Sequence, residues 1–294
     1  MNYPLAHIDP GRVLFWLPAV IGALIGGPWN LLAHRRNDQN SGYGLKYFFQ
    51  GFFVGAVIGG TWSLGLLLIS MNSLVVKIAG WIILVSKAIN VVMGLASCAG
   101  NFRHCMSVLT GKILTDKKKG FIGGLLEAIS RNTWEAPQTW LGLNFSHARN
   151  VFRGVDRVEH FDGSCYVINE LNDSTWGVSL GSYIHISSRI QVGDEFENSI
   201  LANPIFMHEY GHKFQGRIFG PFYLIIIGIP SLLSSYFSKQ APDEISGVTT
   251  HDFKPWEMGA NRNAARYFRK YGIDWERDRY RGMTIETYYP TKKR

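Results

Sequence analysis

The sequence predicts an α+β fold in two parts: a helical transmembrane region over residues 1–114 and a mixed globular domain over residues 115–294. Three observations carry that prediction. Only 18% of the 294 residues are charged, against about 25% in an ordinary soluble domain. The N-terminal part holds three long stretches almost free of charge. The remainder has globular composition and contains His208-Glu209-Tyr210-Gly211-His212 within a segment of helical pattern.

The first stretch, Val13 to Ala33, runs 21 residues without Asp, Glu, Lys or Arg, and the second, Tyr47 to Val76, runs 30. A helix needs about 20 apolar residues to cross the hydrocarbon core. The third, Ile78 to Phe102, is interrupted by Lys87. A lysine at the centre of a span costs about 2.5–3.5 kcal/mol, so Lys87 is expected to face a helix partner or to snorkel. The first span has one charged flank residue, Arg12, no small-residue cleavage pattern after it, and Arg35-Arg36 directly following, which reads as an uncleaved anchor. Gly51, Gly55 and Gly59 stand four apart on the second span, with Gly22 and Gly26 on the first. Small residues at that spacing let helix backbones approach closely, in one chain or between two copies.

Charge is distributed unequally: residues 1–119 carry the whole net +8, and residues 120–294 carry none. A nucleic-acid-binding domain would concentrate basic residues on its folded polar part, so nucleic acid is not expected as a partner; the lipid bilayer is. Basic segments follow the first span (Arg35, Arg36, Lys46) and the third (Arg103, Lys112, Lys117 to Lys119). The region holds two or three spans: with two the positive-inside rule gives no consistent side, and with three both segments lie on one side, which the rule makes cytoplasmic. The C-terminal domain is then cytoplasmic too, in a bacterial inner membrane. The three cysteines, Cys98, Cys105 and Cys165, lack C-x-x-C spacing; an odd, sparse count argues against a disulfide framework and slightly favours a reducing compartment.

In the C-terminal part Trp134 to Arg153 is helical in pattern, and Tyr166 to Asn169 and Gly177 to Ser187 are strand-like, joined by a polar turn over residues 169–175. Then comes the H-E-x-x-H motif. Histidines at i and i+4 share one helix face, so His208 and His212 can reach one zinc ion. Glu209, next to the first, can act as general base on a metal-bound water and pass the proton to a leaving amine. Downstream, His251, Asp252 and Glu257 are candidate third ligands. Glu257 is favoured because it opens a helical segment, Trp256 to Phe268. His251 could instead donate to an oxyanion. Ile218 to Ser238 carries no charge but is broken by Pro221, Gly228 and Pro230; it is expected to be a buried or interface-lying hairpin rather than a fourth span.

With these residues the chain resembles the gluzincin class of zinc metallopeptidases, which takes in thermolysin and the membrane-bound CAAX prenyl proteases. Those enzymes pair H-E-x-x-H with E-x-x-x-D on a second helix, where the Glu is the third ligand and the Asp orients the first histidine. Here the match is Glu257 with Asn261; asparagine can accept the imidazole N–H but carries no charge. The resemblance implies a zincin-like domain, a Zn2+ ion on His208, His212 and Glu257, a peptide or protein substrate, and Val178 to Ile186 as the strand that pairs with it. Residues 134–268 are also similar to uncharacterised bacterial H-E-Y-G-H proteins, some of them C-terminal domains of secreted repeat toxins. The expected function is a membrane-anchored zinc endopeptidase. The alternatives are a toxin or effector with a membrane-inserting N-terminal region, and a non-enzymatic membrane interaction protein.

Overall fold

The computed structural model describes residues 10–37, 44–170, 175–188, 192–193, 195–238, 251–252 and 254–273. Residues 171–174 of the expected turn lie outside them. The architecture is α+β, mostly helical, with one small mixed sheet.

Three long helices open the chain: α1 (Pro10–Asn37), α2 (Gly44–Ser70) and α3 (Leu74–Gly100), and all three are long and apolar enough to cross a membrane. The glycine stripe packs α2 on α1 so closely that a Cβ on Gly55 would lie 1.9 Å from the carbonyl oxygen of Gly22, and one on Gly51 2.2 Å from that of Gly26. The partner of Gly51, Gly55 and Gly59 is therefore α1 of the same chain, and this face is not left open for self-association. At Asn101, α3 ends and α4 (Phe102–Thr110) begins; the Asn101 side chain accepts from His104 N at 3.1 Å and caps the new helix.

The break at Asn101 brings Cys98 and Cys105 together as a disulfide, leaving Cys165 free and buried. The sequence reading against disulfides is corrected here: two cysteines seven apart meet because the helix between them is interrupted.

The next two helices pack directly on this bundle. Helix α5 (Gly120–Asn132) lies against α2, with Phe53 and Phe121 edge to face at 6.3 Å. Helix α6 (Ala136–Val151) lies against α3, where Asn150 Nδ2 donates to Ser97 Oγ at 2.7 Å and to Asn101 O at 3.0 Å. Lys87 takes the helix-facing alternative: it is buried, with its ammonium 5.4 Å from the centre of the Trp140 ring of α6.

Strands β1 (Arg157–Phe161), β2 (Ser164–Asn169), β3 (Trp176–Leu180) and β4 (Tyr183–Ser187) form a sheet of order β1-β2-β4-β3. Gly177 to Ser187 is thus not one strand but a hairpin that turns at Gly181, whose φ is +65°, with Leu180 opposite Tyr183. β2 runs parallel to β4, so β3 is an edge and not the neighbour of β2. The two-residue side-chain period gives the sheet two buried faces. Val167 and Tyr183 meet Val108 of α4 and Leu143 of α6, while Tyr166, Ile168, Ile184 and Ile186 meet Phe206, Tyr210 and Phe268. These last belong to α8 (Pro204–Phe219) and α10 (Pro255–Phe268); the short α7 (Phe196–Ala202) precedes α8.

Past Phe219 the chain makes a 3₁₀ turn over Gly220–Phe222, a π-turn over Leu224–Gly228 and the short α9 (Ile229–Tyr236). The run to Phe222 and that from Leu224 are bent by 119°. Residues 218–238 thus hold the bend of this hairpin and its second arm; most of their apolar side chains are exposed rather than buried, and by length and composition the bent pair is either one broken span or a re-entrant loop.

Candidate metal centre

Helix α8 starts at Pro204, which suits a first helical turn. One turn on, His208 and His212 project from the same face. Helix α10, opened by Pro255, crosses beside it and presents Glu257. Three donor atoms converge: His208 Nε2 and His212 Nε2 are 3.2 Å apart, and Glu257 Oε2 is 3.0 Å from each. An ion held tetrahedrally at 2.0–2.1 Å would space its ligands by about 3.3 Å. The group fits a metal ion to within a few tenths of an ångström, and among the described residues it is the one His/Cys/Asp/Glu cluster that does.

The second atoms of these side chains fix their orientation. His208 Nδ1 lies 2.6 Å from Asn261 Oδ1. The oxygen accepts, so the ring proton sits on Nδ1 and the Nε2 lone pair faces His212 Nε2 and Glu257 Oε2. His212 Nδ1 lies 2.7 Å from Gln215 Oε1, and the Gln215 amide is itself held by donating Nε2–H to Trp256 O at 2.6 Å. Ser231 Oγ donates to Glu257 Oε1 at 2.6 Å, which leaves Oε2 for the histidines. All three side chains are largely dry: exposure is 13% for His208, 6% for His212 and 1% for Glu257. His208 is the member nearest solvent.

Burial drives the Glu257 carboxyl up, but hydrogen bonds from both histidines outweigh it and hold the group well below the carboxylate range. Burial likewise lowers His212, but Glu257 and then Glu209 reverse the effect and raise it to about 9. The pair behaves as an anion seeking a cation, which a proton or a metal can supply.

Glu209 points from the same helix toward the sheet edge. Ser179 of β3 donates Oγ–H to Glu209 Oε2 at 2.8 Å and reaches its carbonyl oxygen at 2.6 Å. Gly177, also on β3, leaves room for the carboxylate: a Cβ there would sit 2.4 Å from Glu209 Oε1. Tyr223 of the hairpin donates to Ser179 O at 3.0 Å, and burial first, then Glu209 and Glu257, push its phenol pKa up. The edge strand, the acid and the three donors thus form one contiguous unit.

Comparison with protein-family models, with curated proteins and with solved structures finds no match. The site has to be read from its own geometry.

Of the sequence candidates, His208, His212, Glu257 and Asn261 are brought together, and Glu209, next in sequence to His208, turns its carboxylate to Gly177 and Ser179 of β3. Asp252 is outside the cluster. His251 lies one layer out, its Nε2 3.5 Å from Glu257 Oε1 and its Nδ1 2.6 Å from Ser234 Oγ, on the side away from the two histidines. His185 is fully buried against Phe145, with its pKa lowered to about 3 by burial and then by Arg149; it is a neutral structural side chain. Sequence reasoning did not find Gly177, Ser179, Gln215 or Ser231. Gln215 stands three residues after His212, and an amide one turn beyond a ligand is the signal that could have found it.

Proposed function

We propose that the chain is a membrane-anchored zinc-dependent endopeptidase with a gluzincin-type site in a zincin-like domain. The observation that carries the reading is the convergence of His208 Nε2, His212 Nε2 and Glu257 Oε2 within 3.0–3.2 Å, one residue from Glu209. Two imidazoles and one carboxylate, with no cysteine, is a donor set of catalytic rather than structural zinc. Zinc bound there would polarise a peptide carbonyl and bring the pKa of a water to about 7.

The chain's own residues supply the rest. Glu209 accepts a proton from the attacking water and returns it to the leaving nitrogen as the C–N bond breaks. Ser179 holds one Glu209 oxygen at 2.8 Å and so fixes where the other points. β3 is a sheet edge, and an extended peptide can add to such an edge through main-chain hydrogen bonds. Asn261 and Gln215, by holding the two Nδ1 atoms, leave both Nε2 atoms to hold the ion that would bind there. The three spans anchor the protein, and the basic segments that follow α1 and α3 favour a cytoplasmic C-terminal part.

The test is the zinc content of the detergent-purified chain and its cleavage of a peptide library. The wild type should hold about one zinc per chain. Glu257→Ala should lose most of it, and Glu209→Gln should keep it while losing cleavage. A wild-type chain without zinc at neutral pH overturns the proposal.

A further inference from the structure

Residues 218–238 carry no charged side chain, yet they lie on the outside of the part of the chain that holds the metal centre. Their inward stripe is Tyr223, Ile227, Ser231 and Ser234, at helical spacing. Tyr223 and Ile227 are buried, Ser231 donates to Glu257 and Ser234 pairs with His251. The opposite face is Ile225, Ile226, Ile229, Leu232, Leu233 and Tyr236, all exposed, with Leu232 at 68%. A helix facing water places its polar residues outward and its apolar ones inward. Here the Ser231 and Ser234 hydroxyls point in and the aliphatic side chains point out, so water is the wrong solvent for this face.

The face is not isolated. Trp134, 47% exposed, donates its indole N–H to Arg217 O at 2.9 Å, just before the hairpin begins. Tryptophan with an apolar ring outside and its N–H satisfied is typical of a membrane boundary. From Trp134 the apolar surface continues along α5 through Ile129, Leu126 and Ile122, and α5 meets the span α2 at the Phe53–Phe121 contact. One apolar surface thus runs from the spans to the hairpin, and a contiguous exposed apolar surface marks an interaction or membrane site.

We propose that the hairpin of residues 218–238 and the outer face of α5 are embedded in the bilayer, so that the metal-centre part of the chain enters the lipid with its own re-entrant element. The 119° bend suits such an element, which dips in and turns back instead of crossing. The Trp134 ring packs on the irregular turn at Gly220, and Tyr223 ties the chain just after it to Ser179 O, so this backbone lies against protein, as membrane-depth backbone requires.

The test uses the wild-type chain in phosphatidylcholine vesicles that contain a photoreactive phosphatidylcholine with its diazirine near the acyl terminus. After irradiation and digestion, lipid adducts are mapped by mass spectrometry. Adducts are expected on residues 222–237 and on α5 at the level found on α2 and α3, and not on β1–β4. Adducts on the spans with none on 222–237 overturn the proposal. The map should be the same with zinc loaded or stripped, so the outcome is separate from that of the peptidase reading.

Discussion

A Cβ on Gly211 would lie 2.1 Å from the carbonyl oxygen of Ala260. The glycine inside the H-E-Y-G-H motif is therefore the point where α8 and α10 touch backbone to backbone, and that contact sets the distance from the two histidines to Glu257. Gly211→Ala should force the helices apart at a cost of about 1–3 kcal/mol and draw Glu257 off the site. Zinc content measured after dialysis should fall sharply. Gly216→Ala on the same helix is the control: its Cβ would meet nothing closer than Gln138 Nε2 at 3.7 Å, so zinc should be retained.

β3 makes a second prediction, this time on turnover with the metal unchanged. Ser179→Ala removes the 2.8 Å bond to Glu209 Oε2, and Gly177→Ala places a methyl group against the other oxygen. Neither residue touches the three donors. Both variants should keep wild-type zinc content while cleavage of a peptide found in the library screen drops, since a general base worth roughly 10²–10⁴-fold works only when correctly aimed. Loss of zinc in parallel with activity would mean that β3 supports the metal rather than Glu209.

The outer bond on His208 is a third. Asn261→Ala leaves Nδ1 without its acceptor and should weaken zinc binding roughly 10–100-fold, as loss of such partners does elsewhere. Asn261→Asp restores an acceptor and adds a charge, so it should bind at least as tightly as wild type. Competition with a zinc chelator reads both. Equal affinity in all three proteins would remove Asn261 from the site.

Much of this was legible in sequence, for identifiable reasons. The spans are runs without charge, and His208 and His212 sit at a spacing that a helix turns into one face, while Glu257 opens a second helical segment. The Glu257–Asn261 pair is legible in the same way. β1 was missed although Asp162-Gly163, with φ of 40° and 73°, is a hairpin signal written in the sequence. The β3–β4 hairpin reads as one strand in sequence because only Gly181-Ser182 breaks an otherwise continuous β-forming run. Ser179 and Ser231 left no local trace: their partners are 30 and 26 residues away, and only the fold brings a serine to a carboxylate over such a distance. The glycine stripe on α2 was visible, but not that its partner is α1.

The Cys98–Cys105 bridge gives a fourth prediction. Alkylation of the purified, denatured chain should label one thiol, Cys165, without reductant and three after reduction. The number also bears on orientation, because a bridge at the end of α3 favours an oxidising side, whereas the basic segments favour the cytoplasm. Three thiols without reductant would mean that the bridge is absent and would agree with a reducing compartment.

Glu127 on α5 is buried among Lys119, Arg131, Lys213 and Arg217, with Lys119 Nζ at 2.7 Å and Arg217 Nη2 at 2.6 Å. Two of these cations belong to α8, so the carboxylate ties the metal helix to α5. Burial pushes its carboxyl up, but Arg131, Lys213, Arg217 and Lys119 together hold it well below the ordinary 4.5. A carboxyl depressed in the folded state stabilises above its unfolded value, and that stabilisation is lost as pH falls through the folded one. Glu127→Gln strips the centre from the cation cluster and should cost about 3–5 kcal/mol at pH 7. Below pH 4.5 the wild type should lose stability as Glu127 takes up its proton, while the variant, with nothing to titrate there, should show a shallower acid limb. Thermal unfolding in detergent across pH 2.5–7 measures both. Parallel acid limbs would assign the acid sensitivity to other carboxylates and leave Glu127 with a packing role alone.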